Sequence, residues 1–192
     1  MDDEWLLVRE LEQDIFEIGA LVKANQASLP LRRTYVRTVF SALEGVLYDL
    51  RQNIIQYSNI DSLFTIKERG KLFEKRVEDG VVTKIDKYLP LVESIPFTSK
   101  CFAKHMGINN FEFPYASEGW IKMHSSIKVR HRITHLKSAA DFNVSIQEID
   151  DLVKAKMWFK GDVSQKLIPD RNLLTSSSWE THIFLKVARR SF

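Results

Sequence analysis

The sequence predicts an all-α protein folded as a single domain spanning residues 1–192, and three observations carry that expectation. Apolar residues recur mainly at intervals of three and four, the period of a helix with one buried face. Glycine is scarce, at seven of 192 residues, so long stretches lack a residue that weakens helices. No internal repeat, low-complexity tract or Pro/Gly-rich linker divides the chain, and its length suits one core better than two.

The first helix reads from Asp3 to Asn25, with Trp5, Leu11, Ile15, Ile18 and Leu21 or Val22 facing inward. Pro30 opens the second and longest, from Leu31 to Tyr57, at a position where proline forfeits no hydrogen bond. Tyr35, Val39, Leu43, Val46, Leu50 and Ile54 form its stripe. Ser62 is placed to cap a third helix running to Glu78 and stopped by Gly80. Lys84 to His105 reads as one or two short helices interrupted by Pro90 and Pro96. Phe111, Phe113 and Pro114 read as a loop or short extended piece, after which Ser117 starts a helix to Leu136. Ser145 with Glu148 makes a capping box for a further helix ending near Gly161. From Ser176 to Val187 the spacing fits a helix slightly better than a strand.

The composition excludes several classes. Apolar residues at 44% and charged residues at 28% are the balance of a globular protein, not a disordered one. No apolar run approaches the roughly 20 residues that cross a bilayer. Asp2, Asp3 and Glu4 make the N-terminus acidic where a secretory signal is basic. A lone cysteine, Cys101, permits no intrachain disulfide and suits a reducing, cytoplasmic setting. Its apolar neighbours favour an inert buried thiol over a nucleophile. The net charge of +3 permits a nucleic-acid partner without demanding one.

The chemistry-bearing residues concentrate in one segment. His124, His131 and His135 lie within twelve residues, and spacings of seven and four place them on one side of a helix. Ser125, Lys128 and Arg132 adjoin them as a basic surface, while Arg130 projects roughly opposite, beside Met123 and Ile127. An arginine so placed keeps its charge and needs an acceptor in the fold, across an interface or on a ligand. Arg130 and His135 converge only where the helix ends or bends between them, or where a second chain contributes. The plain reading is of surface histidines beside a basic face. A zinc pair at His131 and His135 is a second reading, but Arg132 stands where the HExxH glutamate would be and His124 lies two turns away. Neither a nucleophilic triad nor a phosphate-binding glycine loop has a local motif here.

Arg130-His131-Arg132-Ile133-Thr134-His135 resembles the signature of HEPN domains, an arginine, a polar residue, three further residues and a histidine. The surroundings carry the same resemblance: Trp120 upstream, the Ile127-Lys128-Val129 lead-in, the Thr134-His135-Leu136-Lys137 exit, and Ser145 capping the next helix. So does the long helix from Arg33 to Tyr48, with Glu44 among apolar neighbours. The resemblance covers residues 5–160 and leaves 161–192 as a C-terminal extension.

The resemblance implies a HEPN-like helical bundle, with a long antiparallel helix pair and shorter peripheral helices. It further implies a homodimer that brings two copies of the motif to one cleft. Many such proteins are metal-independent endoribonucleases of toxin–antitoxin or defence systems; others are non-catalytic modules that bind a nucleotide, a nucleic acid or a protein. In the first case His135 serves as general base or acid, Arg130 holds the scissile phosphate, and His131 orients it or supplies the second acid–base group. Lys128 and Arg132 then guide the RNA backbone, and Glu44 orients Arg130. No metal, cofactor or membrane is expected, and any antitoxin is a separate chain.

Overall fold

The computed structural model describes residues 6–57, 59–78 and 81–167. It is mostly helical with one small β-hairpin. The order is α1 (Leu6–Ala24), α2 (Leu29–Tyr57), α3 (Ile60–Leu63), α4 (Ile66–Leu72), β1 (Phe73–Glu78) and β2 (Val81–Asp86). There follow α5 (Leu91–His105), α6 (Glu118–Thr134), a 3₁₀ turn (Ala139–Phe142), α7 (Ile146–Trp158), a π turn (Phe159–Ser164) and α8 (Gln165–Leu167). No helix among the described residues is long and apolar enough to cross a membrane. The described residues pack as two compact units. One combines Leu6–Val46 with Pro114–Asp162, and the other combines Leu47–Phe113 with Val163–Leu167.

In the first unit the expected stripes bury their apolar residues. Ile15 and Val22 of α1 are buried, as are Tyr35, Val39 and Leu43 of α2, joined by Val36 and Phe40 between them. Leu21 is half exposed, so Val22 is the inward member of that pair. Helix α6 buries Met123, Val129 and Ile133, and α7 buries Ile149, Leu152, Ala155 and Trp158. Each large apolar side chain so buried contributes roughly 1.5–3 kcal/mol. Caps fix where these helices begin: the Ser117 hydroxyl accepts from the Trp120 N–H, and Ser145 with Glu148 forms the expected capping box. Gly119 lies where α6 meets α7; a Cβ there would fall within the Trp158 indole. Its missing side chain therefore permits the close approach of the two helices.

The second unit is where the sequence expectations need correction. The helix expected from Ser62 to Glu78 is two short helices and a strand. Thr65, not Ser62, makes the capping box, with Glu68, and α4 stops at Leu72. From Phe73 onward the sequence becomes richer in the β-branched residues Val and Thr, with Val77, Val81, Val82 and Thr83, a composition that favours a strand. The sequence between the strands is Asp79-Gly80, a hairpin signal. Strand β1 pairs antiparallel with β2, with Lys75 opposite Lys84 and Phe73 opposite Asp86. The described residues are therefore mostly helical, as expected, with this hairpin as the exception. The region read as short helices from Lys84 begins as strand instead, and α5 starts after Pro90 and runs unbroken through Pro96. The Ser176–Val187 element and Trp5 lie outside the described residues.

The hairpin is rooted by Arg51, which is 3% exposed. Its Nη2 donates to the carbonyls of Lys71 and Leu72, at 3.1 and 2.9 Å, and to that of Lys87, and it faces the Asp86 carboxylate. Leu72 precedes β1 and Lys87 follows β2, so one guanidinium holds both legs. Cys101 is buried in this unit, and burial with the nearby Glu68 carboxylate pushes its thiol up to about 12. It stays protonated at neutral pH, which suits a structural residue and not a nucleophile.

Candidate functional site

Helix α6 presents the signature residues around its last turns. Its buried side, Met123, Ser126, Val129 and Ile133, fixes the helix rotation and leaves Arg130 half-buried at the edge facing α2. There the Arg130 Nη2 donates to Glu44 Oε1 at 2.8 Å. Glu44 is thus the acceptor that a half-buried guanidinium requires, and it comes from a different helix. Only one of the five N–H donors of this arginine is bonded to a described residue. The rest of the planar fork is held in position and left available.

The helix ends between Arg130 and His135. Thr134 is its last residue, and His135 caps it with a non-helical backbone (φ −116°, ψ 67°), its N–H donating to the His131 carbonyl. The His131 and His135 rings lie 4.6 Å apart, inclined at 51°. Both histidines are exposed. His124 does not join them; it sits two turns away, beside the Trp120 ring at 6.4 Å. Among the described residues no group of three or more His, Cys, Asp or Glu side chains could hold a metal ion.

The two cations expected to guide RNA have different settings. Lys128 is exposed and has no ion pair among the described residues. Arg132 is bidentate to Glu148, at 3.0 and 3.1 Å, and also donates to the Asn143 carbonyl at 2.6 Å. It ties the end of α6 to the start of α7 and has few donors left for a phosphate. Burial acts to raise the Glu148 carboxyl, but the Arg132 guanidinium and the Ser145 backbone N–H outweigh it and hold the carboxyl below its ordinary value. A depressed folded value means the stabilisation is present above the unfolded glutamate value and is lost as pH falls through the folded one. Between neutral pH and about pH 3, wild-type protein should therefore lose more unfolding stability in urea than Glu148→Gln. Equal losses in the two proteins would remove this pair as a source of the acid sensitivity.

The structure adds a residue that the sequence reading missed. Arg37, exposed on α2, donates from Nη2 to the Ile133 carbonyl at 3.3 Å. It brings a further cation to the turn that ends in His135 and meets a carbonyl near the negative end of the α6 dipole. The signal available was its spacing of seven from Glu44, which puts both on the same side of α2. Arg33 acts similarly one turn earlier, donating to the Phe142 carbonyl at 3.0 Å. A cavity of about 260 Å³ lies among α1, α2 and α7, lined by Val22, Lys23, Arg32, Tyr35, Ile149 and Asp150 among others, and takes no residue from α6. The signature residues therefore stand apart from it.

Comparison with family models, with curated proteins and with solved structures finds no match to this chain.

Proposed function

We propose that this chain is a metal-independent endoribonuclease of the HEPN type, a toxin or defence effector that cleaves RNA through Arg130, His135 and His131. The observation that carries the reading is Arg130 itself. Glu44 orients it from another helix, most of its fork is uncommitted, and the last turn of the helix carries two exposed imidazoles, His131 within it and His135 at its cap. A planar guanidinium with free parallel donors matches a phosphate. Imidazoles exchange protons near neutrality and suit the two proton transfers of phosphodiester cleavage.

In the reaction, one imidazole removes the proton of a ribose 2′-OH. The O2′ then attacks the adjacent phosphorus and forms a 2′,3′-cyclic phosphate. The O5′–phosphorus bond breaks, and an imidazolium gives its proton to the departing 5′-oxygen. Arg130 stabilises the charge that builds on the phosphoryl oxygens. His135 takes the first role and His131, or His135 of a second protomer, takes the second. A two-fold dimer along α6 would bring two copies of this surface together. In this reading Lys128 and Arg37 hold neighbouring phosphates.

The test is cleavage of RNA in EDTA, with the product ends identified. Cyclic or 3′-phosphate and 5′-hydroxyl ends are expected, with DNA resistant. A requirement for added metal would overturn the mechanism. Light scattering at tens of micromolar should show a dimer, and monomer alone would remove the composite site. The exposure of both histidines on open surface favours a second reading, a non-catalytic HEPN module binding a nucleotide, nucleic acid or protein. That reading prevails if no RNA is cleaved under any condition.

A further inference from the structure

The β1–β2 hairpin serves no core beyond its base. Phe73 is buried, but Glu74, Lys75, Arg76, Val77, Thr83 and Lys84 are all exposed. A two-stranded hairpin is marginally stable by itself in water. Here a buried arginine fixes both its legs, through the Leu72 and Lys87 carbonyls and Asp86. The chain thus holds in place a hairpin whose described outer residues stand exposed.

The charge on that projection is one-sided. Residues 73–87 carry four bases (Lys75, Arg76, Lys84, Lys87) and four acids (Glu74, Glu78, Asp79, Asp86), so the segment is neutral by sequence. The pleat sorts them, because alternate residues point to opposite faces. Phe73, Lys75 and Val77 share a face with Lys84 and Asp86, while Glu74 and Arg76 share the other with Thr83 and Ile85. Asp86, the one acid on the first face among the described residues, is turned to buried Arg51. Lys75 and Lys84 stand directly opposite each other. Neither has an acidic partner among the described residues, and the Lys84 ammonium lies over the Phe73 ring at 5.2 Å. Like charges in direct opposition destabilise a strand pair. An anion seated between them removes that repulsion.

We infer that this face of the hairpin is a nucleic-acid contact, with Lys75 and Lys84 gripping the phosphate backbone of RNA. The choice of RNA over an acidic protein rests on the ribonuclease reading; the facing cation pair does not. Backbone contacts of this kind carry affinity and salt dependence but no sequence preference.

The test uses the full chain and a fluorescent 2′-O-methyl RNA, which the proposed chemistry cannot cleave, titrated by anisotropy across a range of KCl. Each phosphate contact to a single strand adds about 0.7 to the slope of log affinity against log salt. Lys75→Gln/Lys84→Gln should therefore lower the slope by about 1.4, so that wild-type affinity falls ~sevenfold more than the variant's between about 50 and 200 mM. Lys75→Arg/Lys84→Arg should keep the wild-type slope. Circular dichroism and thermal melting of both variants establish that they fold. An unchanged slope in a folded Gln variant overturns the inference, as does a wild-type protein that binds no RNA. Loss of poly-glutamate binding in the Gln variant with RNA binding intact would reassign the face to an acidic partner. Cleavage assays with Arg130→Ala are read separately: if they succeed while the slope is unchanged, the ribonuclease stands and only the hairpin contact falls.

Discussion

Arg130→Ala should lower the rate of RNA cleavage by on the order of 10²-fold or more, the usual cost of removing a group that stabilises charge in the transition state. His135→Ala should cost on the order of 10²-fold or more as well, through loss of the proton acceptor or donor. Helical content should be unchanged, since Arg130 is only half-buried and His135 is exposed. Arg130→Lys should rescue poorly, because a point charge supplies neither the planar fork nor parallel donors. Glu44→Gln should do less harm than Arg130→Ala, for the amide oxygen can still accept from Nη2 while no longer fixing the guanidinium by charge. The measurement is single-turnover cleavage in EDTA for each variant, paired with growth arrest on expression and its relief in Arg130→Ala. Undiminished cleavage in both alanine variants would sink the proposed site.

Arg51→Ala should destabilise the protein by about 3–5 kcal/mol, the range for removing one partner of a buried charge pair. The loss exceeds that of one ion pair, because the carbonyls of Lys71, Leu72 and Lys87 lose a shared donor and the Asp86 carboxylate loses its ion-pair partner. Burial already pushes the Asp86 carboxyl up despite the opposing pull of Arg51, so removing the arginine favours its protonation further. A drop in melting temperature of roughly 10 °C is expected, with faster hydrogen exchange at the amides of Glu74 and Ile85, which the Lys87 N–H to Leu72 carbonyl bond places at a hydrogen-bonded pair of the ladder. Adding Asp86→Asn should recover part of the loss by removing the stranded charge. A melting temperature within a degree or two of wild type would show that the clamp does not hold the hairpin.

Local signals made the long helices legible. Apolar spacing and caps at Ser117 and Ser145 located α1, α2, α6 and α7 to within a few residues. The hairpin was not legible in the same way. Leu63, Phe64, Leu72, Phe73 and Val77 also satisfy a helical period, and what fixes the strands is Arg51, which reaches carbonyls 20 to 36 residues along the chain. At the site, the need of Arg130 for an acceptor could be argued from charge, whereas its pairing with Glu44, 86 residues away, depends on how α2 and α6 pack. Arg132 was read as a surface cation because Glu148 was assigned only its capping duty. In the structure that carboxylate does both, accepting from the Ser145 N–H at 2.8 Å and from Arg132. Arg37 went unnoticed for a related reason, since nothing local distinguishes an arginine that caps another helix from one in solvent.

The first unit is assembled from two stretches separated by residues 47–113, and this sets an order of events on the ribosome. Tyr35, Val39, Phe40 and Leu43 are synthesised early, but the α6 and α7 surfaces of their unit follow only after those 67 intervening residues. At about 5–20 residues per second, that delay is roughly 3–13 seconds. During it the nascent chain carries apolar side chains without the partners that complete their core, a state that invites chaperone binding. Glu44 is likewise made long before Arg130. The orienting contact between Glu44 and Arg130 therefore forms only after the later stretch has emerged and docked.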